Sequence, residues 1–144
     1  MTAADTATLH QLRRFCLALA AGLAVGTAVE LLMLEHHEAL PQRIPLVLSA
    51  LALASLAGVA WRPTSRAVRL HRGIMGGLMG GALLGAYEHL EHNAEFAAEI
   101  QPNADTSTLV IEAFLGANPL LAPGIYAVIG LLGLAGVWRV RGST

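Results

Sequence analysis

Residues 44–61 carry no charged side chain, and neither do residues 119–138. An α-helix rises about 1.5 Å per residue, so roughly 20 apolar residues cross a hydrocarbon core about 30 Å thick. Residues 15–34 form a third such stretch, interrupted only by Glu30. Residues 73–87 form a fourth that falls short of a full crossing, so its outer end must carry Glu88 and His89 near or into the membrane. Pro119 and Pro123 open the last stretch, where missing amide hydrogens cost least. Four apolar segments, with one long connection before the last, predict an all-α chain: an integral membrane four-helix bundle.

Composition supports this. Only 13% of the 144 residues are charged and 55% are apolar, whereas soluble domains carry about a quarter charged residues. A chain this apolar collapses or inserts, which excludes an intrinsically disordered protein. Nine basic residues against ten acidic ones leave no positive surface for nucleic acid. Cys16 is the single cysteine, so neither an internal disulfide nor dithiol redox chemistry is available.

The charges are segregated. Every basic residue is Arg, and Arg13, Arg14, Arg62, Arg66, Arg69, Arg72, Arg139 and Arg141 fall on one side of the spans, with Arg43 alone opposite. Arginine near span ends favours the cytoplasmic side. The expected location is a prokaryotic inner membrane, with both termini cytoplasmic and the acidic residues, Asp5 excepted, in the periplasmic half. Residues 15–28 follow Arg13-Arg14 as a signal peptide would, but the apolar run continues past any cleavage site, so the segment reads as a retained span.

The chain also repeats itself. Leu56-Ala57-Gly58-Val59-Ala60-Trp61-Arg62 ends the second span and Leu134-Ala135-Gly136-Val137-Trp138-Arg139 ends the fourth. A shift of 58 residues superposes Arg14 on Arg72, Gly22 on Gly80, Ala28 on Ala86 and Glu30 on Glu88. The expectation is a single membrane domain over 1–144, built from two helical hairpins (10–63 and 68–141) about an axis along the membrane normal, with spans one and three facing each other across it. Trp61 and Trp138 read as interfacial anchors, and His10 and His71, among the arginines, read as interfacial. Asp105 and Thr106 predict a cap for a short amphipathic helix over 109–115, lying on the outer surface. The third helix is expected to run on to about Ile100.

Two stripes at helical spacing follow: Gly22, Gly26, Glu30, Met33 and His37 in the first span, and Gly77, Gly81, Gly85, Glu88, His92, Glu95 and Glu99 in the third. Small residues at four-residue spacing mark faces where membrane helices approach closely, so both stripes are expected to pack inward and bring their ionisable residues together. Carboxylates with imidazoles suit iron, manganese or zinc, and copper less readily. Facing helices that each supply Glu and His have the logic of a dinuclear carboxylate site. The expected metal ligands are Glu30, His37, Glu88, His92 and Glu95, with His36 and His89 as substitutes if a helix rotates.

The predicted function is therefore binding of one or two transition-metal ions at the outer end, for redox chemistry or metal handling. In an enzyme of this kind, carboxylates bridge the ions and an open position takes oxygen, peroxide or water. A second reading is a non-catalytic subunit that packs in a larger membrane complex, or as a homo-oligomer, through its Gly-rich faces. A b-type haem between histidines is a lesser alternative, disfavoured by surrounding carboxylates and only seven aromatic residues. A zinc-hydrolase motif fails because Pro41 stands where the second histidine would be. A transport path lacks acidic residues that would continue it to the arginine side.

Overall fold

The computed structural model describes residues 2–35 and 40–140, and among these residues the secondary structure is helical, with no strand. The helices are α1 (Ala3–Met33), α2 (Leu40–Trp61), α3 (Ser65–Ile100), α4 (Thr106–Leu115) and α5 (Gly124–Gly136). His36, His37, Glu38, Ala39 and Arg141 lie outside the described residues.

Local chemistry sets the helix ends. Thr2 and Asp5 form a reciprocal capping box at the start of α1, the Asp5 amide donating to Thr2 Oγ1 (3.1 Å) and the Thr2 amide to Asp5 Oδ2 (2.8 Å). Glu35, in the left-handed region at φ 53°, ends the turn after α1. Pro63 stops α2 one residue beyond Arg62, and Thr64 Oγ1 caps α3 by accepting from the Ala67 amide. Asp105 caps α4 at the position its sequence predicts, and α3 ends at Ile100 as its polar stripe predicts.

α1 and α2 are long and apolar enough to cross a membrane. Only 17% and 22% of their most apolar stretches are buried within the chain, whereas the core helix of a soluble protein would be mostly buried. Phe15, Val25, Val29 and Leu32 of α1 point outward. α3, with 36 residues, extends about 54 Å. α5 is shorter than the expected span over 119–138: its regular helix has 13 residues, about 20 Å. Pro119 and Pro123 lack the amides that a regular first turn would use later, and the chain coils there through tighter bonds three residues apart, such as Ala122 to Pro119 and Tyr126 to Pro123. The other end unwinds in the same way through Val137 and Trp138, before Arg139 at φ 55°.

α1 packs on α2 and α5, and α3 packs on the same two helices, so α2 and α5 lie between α1 and α3. The core they share contains Ala20 and Ala24 of α1, Ala52 and Leu56 of α2, Met75, Leu78 and Ala82 of α3, and Tyr126 and Ile129 of α5. Glycines permit the closest approach. Gly130, Gly133 and Gly136, three residues apart, are all buried. A Cβ on Gly130 would stand 2.7 Å from the Met75 carbonyl oxygen, and one on Gly136 would stand 2.5 Å from Leu17.

The expected inward stripes require correction. Gly22, Gly26 and Glu30 are exposed, and nothing lies within 4 Å of a Cβ placed on either glycine. The buried line of α1 is Ala20 and Ala24, and at 100° per residue the glycine stripe lies well round the helix from it. Alanine is small enough for helix contact, and large apolar residues face outward, so hydropathy did not distinguish the two faces. In α3 only the middle of the stripe packs, with Gly81 against Leu48 and Gly85 against Pro123. The buried line of α3 runs instead through Val68, His71, Met75, Leu78 and Ala82 to Asn93 and Ala97.

Candidate functional site

At the acidic end, α3 continues beyond its apolar stretch and receives α4. Asn93, buried to 2% exposure, joins them. Its Nδ2 donates to the carbonyls of Ala113 (3.2 Å) and Asn118 (2.9 Å), and its Oδ1 accepts from the amide (2.9 Å) and side-chain nitrogen (3.0 Å) of Asn118. These four bonds use the full donor and acceptor capacity of the amide group. Gly116 makes the approach possible, since a Cβ there would stand 2.6 Å from Asn93 Cγ. One turn earlier, His89 Nδ1 donates to the Pro119 carbonyl (2.8 Å). In the neutral ring that bond leaves the lone pair on Nε2, the arrangement in which a histidine serves as a metal ligand.

Those of the expected ligands that are described do not form a cluster. Glu30 is exposed near the end of α1, Glu88, His92 and Glu95 are exposed along α3, and His89 is half-buried. Among the described residues, no three His, Cys, Asp or Glu side chains stand close enough together to hold a metal ion. His36 and His37 lie outside the described residues. α2 and α5, and not α3, make the extensive contacts of α1, so the stripes of α1 and α3 are not packed against each other.

Two exposed carboxylates do have fixed partners. The Ser107 hydroxyl (2.6 Å) and then the Thr108 amide (2.8 Å) hold the Asp105 carboxyl below the usual carboxylate range. The backbone and then the side chain of Thr2 do the same for Asp5.

The arginine-rich end is bonded more tightly. His71 is fully buried, not interfacial as its arginine neighbours suggest. Its Nε2 donates to the Gly133 carbonyl (3.1 Å) and its Nδ1 meets Ser55 Oγ (3.1 Å), whose single hydroxyl hydrogen also has the Ala52 carbonyl within reach (3.0 Å). This linkage ties α2, α3 and α5 together. Its sequence signal is the spacing of His71 with Val68, Met75 and Leu78, three and four residues apart. A second linkage, nearer the middle, joins Ser49 Oγ to Tyr126 Oη (2.9 Å), which donates to the Pro45 carbonyl (2.7 Å). Arg13 donates to the Trp138 carbonyl, and Arg72 donates to those of Val137 (3.1 Å) and Val140 (3.4 Å). Two guanidinium groups thus serve the open carbonyls beyond α5, where the helix dipole also favours positive charge.

No protein-family model, curated protein or solved structure matches the chain.

Proposed function

We propose that the chain is a small integral membrane protein of two repeated helical hairpins, a non-catalytic subunit that assembles with other helices through the outward faces of α1 and α3. The observation that carries this reading is the exposure of Gly22, Gly26 and Glu30 along one face of α1. Small residues let membrane helices approach closely, and a carboxylate left facing lipid is costly, so a second helix over this face satisfies both. The outward apolar surface of α1 and α2 supports insertion. The segregation of arginines supports a prokaryotic inner membrane with cytoplasmic termini. The repeat is supported by α1 and α3 each packing on both α2 and α5.

A photo-crosslinking amino acid at position 26 tests the assembly. It is expected to give a discrete higher-mass adduct in membranes, whereas the same group at exposed Val25, about 100° round the helix, gives none. Equal labelling from both positions, or no adduct from either, overturns the reading.

The hydrogen bond from His89 Nδ1 to Pro119 favours a second reading. In it, one or two ions of iron, manganese, zinc or copper bind at the acidic end, with His89 as one ligand and the set completed by a second copy or by rearrangement of the exposed side chains of Glu88, His92, Glu95 and Glu30, together with His36 and His37. Elemental analysis of protein purified without chelator is expected to give stoichiometric metal, lost in Glu88→Ala/His89→Ala. Metal-free protein from such a preparation sinks this reading.

A further inference from the structure

At the arginine-rich end a groove of about 780 Å³ opens between α1 and α2, within the roughly 300–1,000 Å³ range of small-ligand sites. Leu17 and Ala18 of α1 and Leu53 and Ala57 of α2 form its apolar walls, and Arg13 and Arg14 line it with His10 at its polar end. The Arg13 guanidinium is held by its bond to the Trp138 carbonyl. Its Nε is buried and has no hydrogen-bond partner among the described residues. A buried donor in this state is costly to leave unpaired.

The geometry points to an anionic phospholipid as the occupant of this groove, one acyl chain lying between α1 and α2 and the phosphate meeting Arg13 and Arg14. Charge argues for an anionic headgroup over a zwitterionic one. Of the ten acidic residues only Asp5 lies in this half of the sequence pattern, while Arg62, Arg66, Arg69, Arg72 and Arg139 add positive charge to the same end. Basic pockets between membrane helices on the cytoplasmic side recognise such headgroups. The apolar walls ask for a hydrocarbon chain, which a free anion does not supply. The inference rests on the proposed membrane insertion.

Full-length protein in mild detergent, titrated with dioleoylphosphatidylglycerol and read by native mass spectrometry, tests the site. Dioleoylphosphatidylcholine supplies the same chains without net charge, and inorganic phosphate supplies the anion alone. Preferential retention of one phosphatidylglycerol per chain is expected. Arg14→Gln is expected to weaken retention about fivefold and Arg13→Gln/Arg14→Gln about 25-fold. Arg66→Gln/Arg69→Gln, which removes as much charge from exposed positions outside the groove, leaves retention unchanged. Ala18→Phe fills the groove with both arginines intact and abolishes retention, so the test survives if the Arg13 variant fails to fold. Equal retention of the two lipids, full retention in Arg14→Gln and Ala18→Phe, or displacement by inorganic phosphate alone overturns the proposal. Alkaline carbonate extraction of the membranes separates the two possible failures. Release of the chain removes the membrane reading and the lipid site together, while a chain that stays but shows no lipid preference removes the lipid site alone.

Discussion

The two ends of the molecule hold comparable numbers of ionisable groups and use them in opposite ways. At the arginine end the polar groups turn inward: His71 bonds Ser55 and Gly133, and Arg13 and Arg72 serve carbonyls beyond α5. At the acidic end the inward group is a neutral amide, Asn93, while Glu30, Glu88, His92 and Glu95 stay outside. The difference follows from what a helix end offers. A C-terminus presents carbonyls, which guanidinium groups can satisfy and carboxylates cannot. Glu30 stands near the C-terminus of α1, and Glu95 and Glu99 near that of α3, where the dipole disfavours negative charge and neither last turn holds a basic residue. Carboxylates in such places gain from a cation outside the chain, which the metal-binding reading supplies, or from burial against a polar partner helix, which the assembly reading supplies.

Overpacking the arginine end should have the largest effect. A Cβ on Gly133 meets Met75 Sδ and lies 3.3 Å from His71 Nε2. Gly133→Val is expected to cost about 3 kcal/mol, read as a lowered thermal midpoint in detergent. Gly22→Val, with open space around it within the chain, is expected to leave the midpoint of the chain purified without partners unchanged; an equal loss would erase the contrast between inward and outward glycines.

At the acidic end the comparison turns on one residue. Asn93→Ala leaves the Ala113 and Asn118 groups without partners and is expected to cost about 2 kcal/mol. The loss should appear as faster hydrogen exchange in α4. Glu95→Ala, two positions along the same helix but exposed, should leave α4 exchange as it was. If Glu95→Ala costs as much as Asn93→Ala, the acidic stripe is structural within this chain.

What could be read from sequence followed how local the governing interaction is. The α4 cap at Asp105 and the run of α3 to Ile100 are set by neighbours within a turn or two, and both were legible. The packing face of α1 was not. Ala20 and Ala24 make the contact while Gly22 and Gly26 do not, and the two pairs are nearly equivalent in size and hydropathy. His71 was misplaced because its neighbours in sequence are arginines, although its spacing from Val68 and Met75 marks the buried line. The three-residue spacing of Gly130, Gly133 and Gly136 was present in the sequence, but its meaning depends on Met75 and Leu17 in other helices. For the acidic cluster, the pattern gave the residue types but not the separation of α1 from α3 by α2 and α5.

A smaller loss is expected from Arg72→Gln, which removes charge from the carbonyls of Val137 and Val140 while a shorter donor remains. The cost should be about 1 kcal/mol, visible as faster exchange at the end of α5. Arg69→Gln, exposed one turn earlier, is expected to leave α5 exchange unaltered, so equal effects would reduce the arginine end to a diffuse charge effect.

The smallest effect belongs to Asp105, an acidic-end carboxylate whose bonds to Ser107 and Thr108 are fixed within its own turn. Its folded-state carboxyl titrates below the usual value because Ser107 and Thr108 donate to the charged form. A lowered folded-state value means that its contribution is present above the ordinary carboxylate range and fades as pH falls through the folded-state titration. Amide exchange at the start of α4 should therefore quicken only in acid, with no corresponding change at neutral pH. Asp105→Asn, which keeps an acceptor oxygen but no titration, is expected to flatten the dependence. If acid loosens α4 equally in that variant, the responsible protons bind elsewhere at this end, on the exposed glutamates of α3 or on Glu112, and those carboxylates then share the structural role that Asp105 and Asn93 hold here.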